Sequence, residues 1–165
     1  MTNQAFPSLN GIAASWADVQ TTITPDQATA LQTIDYSAIN WDRVVTVGEQ
    51  RGASGGRVMA RTTGSVAYTA DATFYYSGYR ALLKSLMQNA PTRGNQKIIS
   101  GVSFDILIQH SVPGDPEIYT VKLKGCRLLG DAAKLKEGTD ADQLDLTLNP
   151  IEIVNIINGV EVAML

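Results

Sequence analysis

The sequence predicts a mainly β, antiparallel fold with one α-helix and one long extended loop. Three observations support this prediction. Apolar and polar residues alternate along most of the chain, which is the pattern of half-buried β-strands. A single segment has the period of an amphipathic helix. The predicted elements run as strands, helix and further strands without βαβ alternation, which argues against a doubly wound parallel sheet.

Alternating residues mark four clear strands, at residues 66–76, 102–109, 119–124 and 144–149. On the first strand, one face carries Val66, Tyr68, Ala70, Ala72, Phe74 and Tyr76. The turn-forming residues 111–116 join the second and third strands, so these two are predicted to form an antiparallel hairpin. Weaker patterns predict strands at residues 11–23, 30–39, 41–47, 57–61 and 151–157.

The predicted helix covers residues 77–89, directly after the long strand. Ser77 is a suitable N-cap, and Asn89 precedes an Ala-Pro pair that ends the helix. The core-facing side of the helix is predicted to carry Tyr79, Leu82, Leu83 and Leu86. A second, short helical turn is predicted at residues 131–136.

Length and pattern indicate one domain, residues 1–165. Residues 1–10 are predicted to be an N-terminal arm. Residues 48–64 hold five glycines and three arginines, with too few apolar side chains for a core. A loop of that length in a compact domain is usually functional or disordered.

Composition excludes several classes of protein. The apolar fraction is 44% and the charged fraction 18%, and the net charge of −3 argues against an electrostatic nucleic-acid binder. Cys126 is the single cysteine, so no intramolecular disulfide forms. Neither a signal peptide nor a membrane-spanning apolar stretch is visible, so we expect a soluble chain that is made in the cytoplasm.

A nucleophilic serine is one enzymatic alternative. Residues 52–56 match G-x-S-x-G around Ser54, and Asp105 and His110 follow in the chain order of an α/β-hydrolase. However, the flanks are polar and no helix follows Ser54, so a flexible glycine loop is the better interpretation.

Metal and cysteine chemistry are also disfavoured. His110 and Cys126 are too few for a zinc site, and no third group orients them as a nucleophile pair. Asp140, Asp142 and Asp145 cluster, but the glycine and glutamate of a calcium-binding EF-hand loop are missing. We therefore expect no catalytic residue, cofactor or metal, and a protein that is not an enzyme.

Four segments together resemble the tube proteins of phage tails. They are NG-x-x-x-SWAD at residues 10–18, ARTTG running into SVAYTADATFYYSG, the segment SGYRALLKSLM, and VKLKGCRLLGDAAKLKEGTDADQLDLTLNPIEI near the end. The resemblance covers most of the chain, and the last segment is its most specific part. It implies a small antiparallel β-barrel or sandwich with one flanking helix.

The resemblance also implies a function. It predicts rings of six subunits that stack into the hollow tail tube of a virion, assembled in the bacterial cytoplasm, through which DNA passes without specific binding. Partners would be further copies of the chain and the sheath, baseplate and tail-terminator proteins, with no membrane. The inner tube of a contractile injection or type VI secretion system is the alternative, and a monomeric β-sandwich binding module is a third hypothesis.

Two sets of residues are predicted to serve assembly. The polar faces of the strands are predicted to line the lumen, with a net negative charge that repels DNA phosphates: Thr69, Asp71, Thr73, Asp105, Gln109, Lys122, Asp145 and Thr147. The loop at residues 48–64 is predicted to become ordered against a subunit of the next ring, through Gly48, Arg51, Gly52, Gly55, Gly56, Arg57 and Arg61.

Overall fold

The computed structural model describes residues 19–32, 35–52, 56, 58–111, 117–135 and 141–163. These residues form eleven strands, one α-helix and a short 3-10 helix at Ile99–Gly101. The elements are β1 (Val19–Pro25), β2 (Leu31–Gln32), β3 (Tyr36–Arg51), β4 (Val58–Tyr75), α1 (Tyr76–Asn89), β5 (Thr92–Arg93), β6 (Gln96–Lys97), β7 (Phe104–Ser111), β8 (Ile118–Lys134), β9 (Gln143–Asn149), β10 (Glu152–Ile157) and β11 (Val160–Ala163). The prediction of a mainly β chain with one helix is confirmed.

Nine of the described strands form one antiparallel network that folds over on itself. The long strand β8 belongs to both halves. Its first half pairs with β7 on one side and β10 on the other, in the order β2-β1-β7-β8-β10-β11, here called the β7 sheet. Its second half pairs with β9, in the order β8-β9-β4-β3, here called the β4 sheet. The predicted β7–β8 hairpin is confirmed.

The change of direction in β8 occurs at Gly125. Its φ of +60° is a conformation that favours glycine, and the pairing with β7 is irregular between Phe104 and Ile106. The backbone N–H of Gly125 donates to Oδ1 of Asp105 at 2.9 Å, which fixes the bulge. The bend carries β8 from one sheet into the other.

The hydrophobic core lies between the two sheets. Ile106 and Leu123 of the β7 sheet, Phe74 and Leu146 of the β4 sheet, and Leu86 of α1 are all buried in one cluster. The hydroxyl group of Tyr36 on β3 is hydrogen-bonded to the hydroxyl group of Thr21 on β1, in the opposite sheet. The fold is thus a two-layer sandwich, and of the barrel and sandwich alternatives the sandwich is the one observed.

The helix prediction needs small corrections. The helix begins at Tyr76, whose side chain is 57% exposed, so Tyr76 does not continue the apolar face of the strand. Ser77 is not the N-cap; its hydroxyl donates to Asp35 at 2.7 Å. Leu82 and Leu86 are buried as predicted, but Leu83 is only half-buried.

Two other predictions are wrong. Residues 131–134 are strand and not helix, because they pair with β9 as the end of β8. Residues 48–51 and 58–64 are not a loop: they are the ends of β3 and β4, paired with each other, as the weaker strand pattern at residues 57–61 had indicated in part. The predicted arm at residues 1–10 and the resemblance segment at 10–18 lie outside the described residues.

Candidate assembly surfaces

A two-stranded ribbon projects from the edge of the β4 sheet. β3 and β4 pair continuously from Tyr36 and Phe74 to Arg51 and Val58. The strand β9, however, pairs with β4 only from Ala70 onward. Residues 44–51 and 58–67 therefore form a ribbon without a third strand. The sequence predicted a loop at residues 48–64, but its weaker patterns at residues 41–47 and 57–61 had indicated parts of these strands.

The base of the ribbon depends on Gly64. A Cβ atom at this position would overlap the carbonyl oxygen of Thr46 on the facing strand. The pairing register also shifts there, between Thr46 and Gly48, and the Thr62 hydroxyl donates to the Gly48 carbonyl at 3.2 Å. The backbones approach so closely that only glycine fits.

The surface of the ribbon combines apolar and paired charged side chains. Met59 is 76% exposed, and Val44, Val47 and Val58 are exposed as well. The Glu49 carboxylate lies 3.3 Å from Arg51 and 3.6 Å from Arg61, so two of the three arginines that were predicted to reach a neighbour form ion pairs within their own ribbon. Such exposed pairs contribute little and can be exchanged for others.

The tip of the ribbon is glycine-rich. Gly56 has a φ of +65° and open space around it. Gly52 follows the last residue of β3. Gly55, Arg57 and Ser54 lie outside the described residues.

The eight residues predicted to line a lumen fall into two groups on different sheets. Thr69, Asp71 and Thr73 of β4 lie beside Asp145 and Thr147 of β9, on the side of the β4 sheet away from the core. Asp105, Gln109 and Lys122 lie on the corresponding outer side of the β7 sheet. Because the core separates the sheets, these two faces point away from each other, and the structure does not bring the eight residues together.

The outer face of the β4 sheet has an excess of carboxylates. Thr73 donates to Asp145 at 2.8 Å, and Asn40 donates to Asp71 at 2.8 Å. Asp42 lies on the same face opposite Thr69 and alternates with Trp41, but it is not among the predicted lumen residues. Arg127, across from Asn149, is a cation near the opposite edge of this face.

The outer face of the β7 sheet carries charges of both signs in pairs. Lys122 lies 3.3 Å from Asp105. Lys124 lies 3.4 Å from Glu152 and also donates a hydrogen bond to the Glu161 carboxylate, and this hydrogen bond raises the pKa of Lys124. The two outer faces therefore differ in charge pattern: among the described residues named here, the β4 sheet has three aspartates and one arginine, and the β7 sheet has three carboxylates that are paired with two lysines.

The enzymatic alternatives gain no support from the geometry. Cys126 pairs with Phe104 and His110 pairs with Tyr119, at opposite ends of β7, so cysteine and histidine do not meet. Burial raises the pKa of the Cys126 thiol to about 12, which opposes thiolate chemistry at neutral pH. Within the described segments, no group of three or more His, Cys, Asp or Glu side chains could hold a metal ion. No described helix is long and apolar enough to cross a membrane.

Solved structures with the same fold come from tail-like assemblies. A chain of the sheath-tube complex of PVC, an extracellular contractile injection system, matches 92% of this chain and 99% of its own length, with a TM-score of 0.62 and 14% identity. A chain of the six-fold symmetrised baseplate of the anti-feeding prophage covers 94% and 99%, with a TM-score of 0.61 and 11% identity. The tail tube of SPP1 covers 89% and 82%, with a TM-score of 0.56 and 15% identity.

The similarity is one of structure. No protein-family model matches the sequence, and no curated protein matches it. The fold similarity extends over most of the chain in structures of the PVC sheath-tube complex, the anti-feeding prophage baseplate and the SPP1 tail tube. The chain has the two-sheet fold of tail-tube proteins.

Proposed function

We propose that this chain is a non-enzymatic structural subunit that assembles into rings, of six copies, stacked into the hollow tube of a phage tail. The observation that carries the proposal is the tail-tube sandwich, matched over 92% of the chain in the PVC sheath-tube complex. The six-fold symmetry of the anti-feeding prophage baseplate supports the ring number. The virion, after assembly in the host cytoplasm, is the proposed location.

Open sheet edges support assembly into rings. Among the described residues, β3 ends one side of the β4 sheet, and β11 ends one side of the β7 sheet. Unpaired strand edges are templates for association, and a closed ring of subunits removes them. A monomeric binding module would leave both edges exposed.

The β4 sheet is the proposed wall of the lumen. Its outer face carries Asp42, Asp71 and Asp145. On the β7 sheet, two lysines, Lys122 and Lys124, lie among the carboxylates. An acidic wall repels phosphates, so DNA would slide past without binding. This proposal replaces the mixed set of eight lumen residues by the five on one sheet.

The ribbon is the proposed contact between rings. It extends beyond the sandwich, exposes Val58 and Met59, and carries ion pairs that are weak enough to exchange. Because a ribbon and the surface that receives it differ, their contact is head-to-tail and can repeat without limit along an axis. That property suits a tube of many rings.

The inner tube of a contractile injection or type VI secretion system is the second candidate function. The matches to the PVC sheath-tube complex and to the anti-feeding prophage baseplate favour it. In that case sheath, baseplate and terminator proteins are the proposed partners, and a protein cargo takes the place of DNA.

Electron microscopy of the purified full-length chain tests the proposal. We expect rings with six-fold symmetry that stack into tubes, and a mass in light scattering that is a multiple of six chains. A uniform population of single subunits at high concentration, in both low and moderate salt, contradicts it.

A further inference from the structure

A cleft of about 600 Å³ opens at the end of the β7 sheet, away from the Gly125 bend. It lies where β7 ends, β8 begins and β10 turns into β11. Its walls include His110, Ile118, Tyr119 and Ile157. None of these residues belongs to the ribbon or to the acidic face of the β4 sheet.

The cleft exposes a part of the sheet surface that the core leaves uncovered. On the core-facing side, Ile108 and Val121 are buried, with 5% and 1% of their surface exposed. The next pair on the same side is His110 and Tyr119, and Tyr119 is 50% exposed. Ile157 is also 50% exposed. The inner face of this sheet is thus longer than the layer that covers it.

A buried polar atom lies in the same place. The Nε2 atom of His110 is buried and has no hydrogen-bond partner among the described residues. Buried polar groups in proteins are nearly always hydrogen-bonded, because an unpaired group loses its hydrogen bonds to water without a compensating bond in the protein. An uncovered apolar wall beside an unpaired imidazole nitrogen points to a partner with both apolar and polar groups.

The chain itself offers such a partner. Val19, the first residue of β1, pairs directly with His110, so residues 1–18 join the fold at the edge of the cleft. That segment contains the large apolar side chains of Phe6, Leu9, Ile12 and Trp16 among polar ones. Chain connectivity also keeps the segment at a high effective concentration next to the cleft.

We propose that residues 1–18 bind in the cleft of their own subunit, covering Tyr119 and Ile157 and placing a hydrogen-bonding group against Nε2 of His110. The inference does not depend on tube formation, because each element of it belongs to a single chain.

The first test removes the segment and returns it as a peptide. A chain that lacks residues 1–17, with its fold verified by circular dichroism, is titrated with a labelled peptide of residues 1–18 while anisotropy is measured. We expect saturable binding that becomes about tenfold weaker or worse when Tyr119→Ser and Ile157→Ser remove apolar contacts. The matched control, Met59→Ser with Leu135→Ser, replaces two exposed apolar residues outside the cleft and should bind as the parent does. No binding, or equal loss in the control, overturns the proposal.

The second test uses the full-length chain, so that it holds even where the truncated chain fails to fold. In a Trp41→Phe background, Trp16 is the remaining tryptophan, since the chain has two. Its emission should lie at shorter wavelength than in the free peptide and should move to longer wavelength in the Ile157→Ser variant. Emission equal to that of the free peptide contradicts binding.

A cross-link distinguishes the subunit's own segment from that of another copy. Ser15→Cys with Ile157→Cys, treated with a short bismaleimide, should give a product with the mass of one chain, since Cys126 is buried. A product with the mass of two chains would show that a second copy fills the cleft and would overturn the assignment to the same chain.

Discussion

The hydroxyl of Thr73 on β4 donates a 2.8 Å hydrogen bond to the carboxylate of Asp145 on β9, directly across the strand pair. Both residues lie on the outer face of the β4 sheet. Cross-strand pairs of this kind stabilise a sheet and fix its register. The bond therefore ties together the two strands that carry most of the proposed lumen wall, and it holds the Asp145 carboxylate on that face.

We predict that the β4 sheet lines the lumen, and cysteine labelling tests this. In assembled tubes, a cysteine at Asp71→Cys on the β4 sheet should resist a bulky maleimide added from outside. A cysteine at Thr24→Cys, which lies opposite Asp105 on the outer face of the β7 sheet, should react at once. Both should react equally in unassembled subunits, because Asp71 and Thr24 are exposed there. The reverse pattern in tubes would place the β7 sheet inside.

The helix should respond unequally to truncation of its leucines. Leu86 is completely buried and Leu83 is half-buried, so Leu86→Ala should cost about 2–5 kcal/mol of unfolding free energy and Leu83→Ala clearly less. Met87→Ala is the control at an exposed position of the same helix. Denaturant unfolding of unassembled subunits measures the difference. Equal effects of Leu83→Ala and Leu86→Ala would show that the helix packs in another orientation.

Much of the sandwich could be predicted because burial leaves a periodic trace in the sequence. Leu144, Leu146 and Leu148 alternate with polar residues, and all three are buried on β9. The ribbon left only weaker patterns, at residues 41–47 and 57–61, because most of its described side chains are exposed. Residues 131–134 contain good helix formers, yet pairing with β9 overrides that local preference.

For the assembly surfaces, the sequence predicted which residues of each strand face away from the core, but not which sheet each strand belongs to. Alternation shows that Asp71 and Asp105 both point away from the core. It does not show that they belong to different layers, because a period of two says nothing about which strands pair. The non-local pairing of β4 with β9, and of β7 with β1, decides that question. Asp42 was missed for the same reason, since its face is defined by its position opposite Thr69.

Alkaline pH should destabilise the folded subunit through Cys126. Burial raises its pKa to about 12, from an ordinary value of 9.0. Between these values the unfolded chain releases the proton and the folded chain keeps it, so stability is full below about pH 9 and falls as pH rises. Tyr79, whose pKa desolvation and Asp131 raise to about 12, acts in the same direction.

Thermal unfolding at pH 8, 9.5 and 10.5 measures this alkaline loss. Cys126→Ala should flatten the decline, while Ser103→Ala, a change of similar size at a half-buried residue that does not titrate, should leave the slope unchanged. A slope that is the same in the Cys126→Ala variant and the parent would mean that the thiol ionises equally in both states.

Shortening the ribbon should separate folding from stacking. Replacing residues 50–57 with a short Gly-Ser turn removes the tip and the Arg51–Glu49 pair, and none of the described residues in that range has a buried side chain. We expect an unchanged melting temperature and rings that no longer stack. Microscopy and light scattering measure ring and tube populations. Tubes as long as those of the parent would show that the tip is not the contact between rings.

A single methyl group at the base of the ribbon should have a similar effect. Gly64→Ala would place a Cβ atom against the carbonyl oxygen of Thr46, and a backbone atom cannot move aside as a flexible side chain can. The strand pair must therefore shift or separate at that point. This changes the direction of the ribbon and leaves the packing of the hydrophobic core unchanged. Gly130→Ala is the matched control, because it adds the same methyl group to a strand with no atom within 4 Å. We expect Gly64→Ala to form rings but few tubes, and Gly130→Ala to leave the ribbon and the stacking of rings as in the parent. If both variants assemble alike, the direction of the ribbon does not determine how the rings stack.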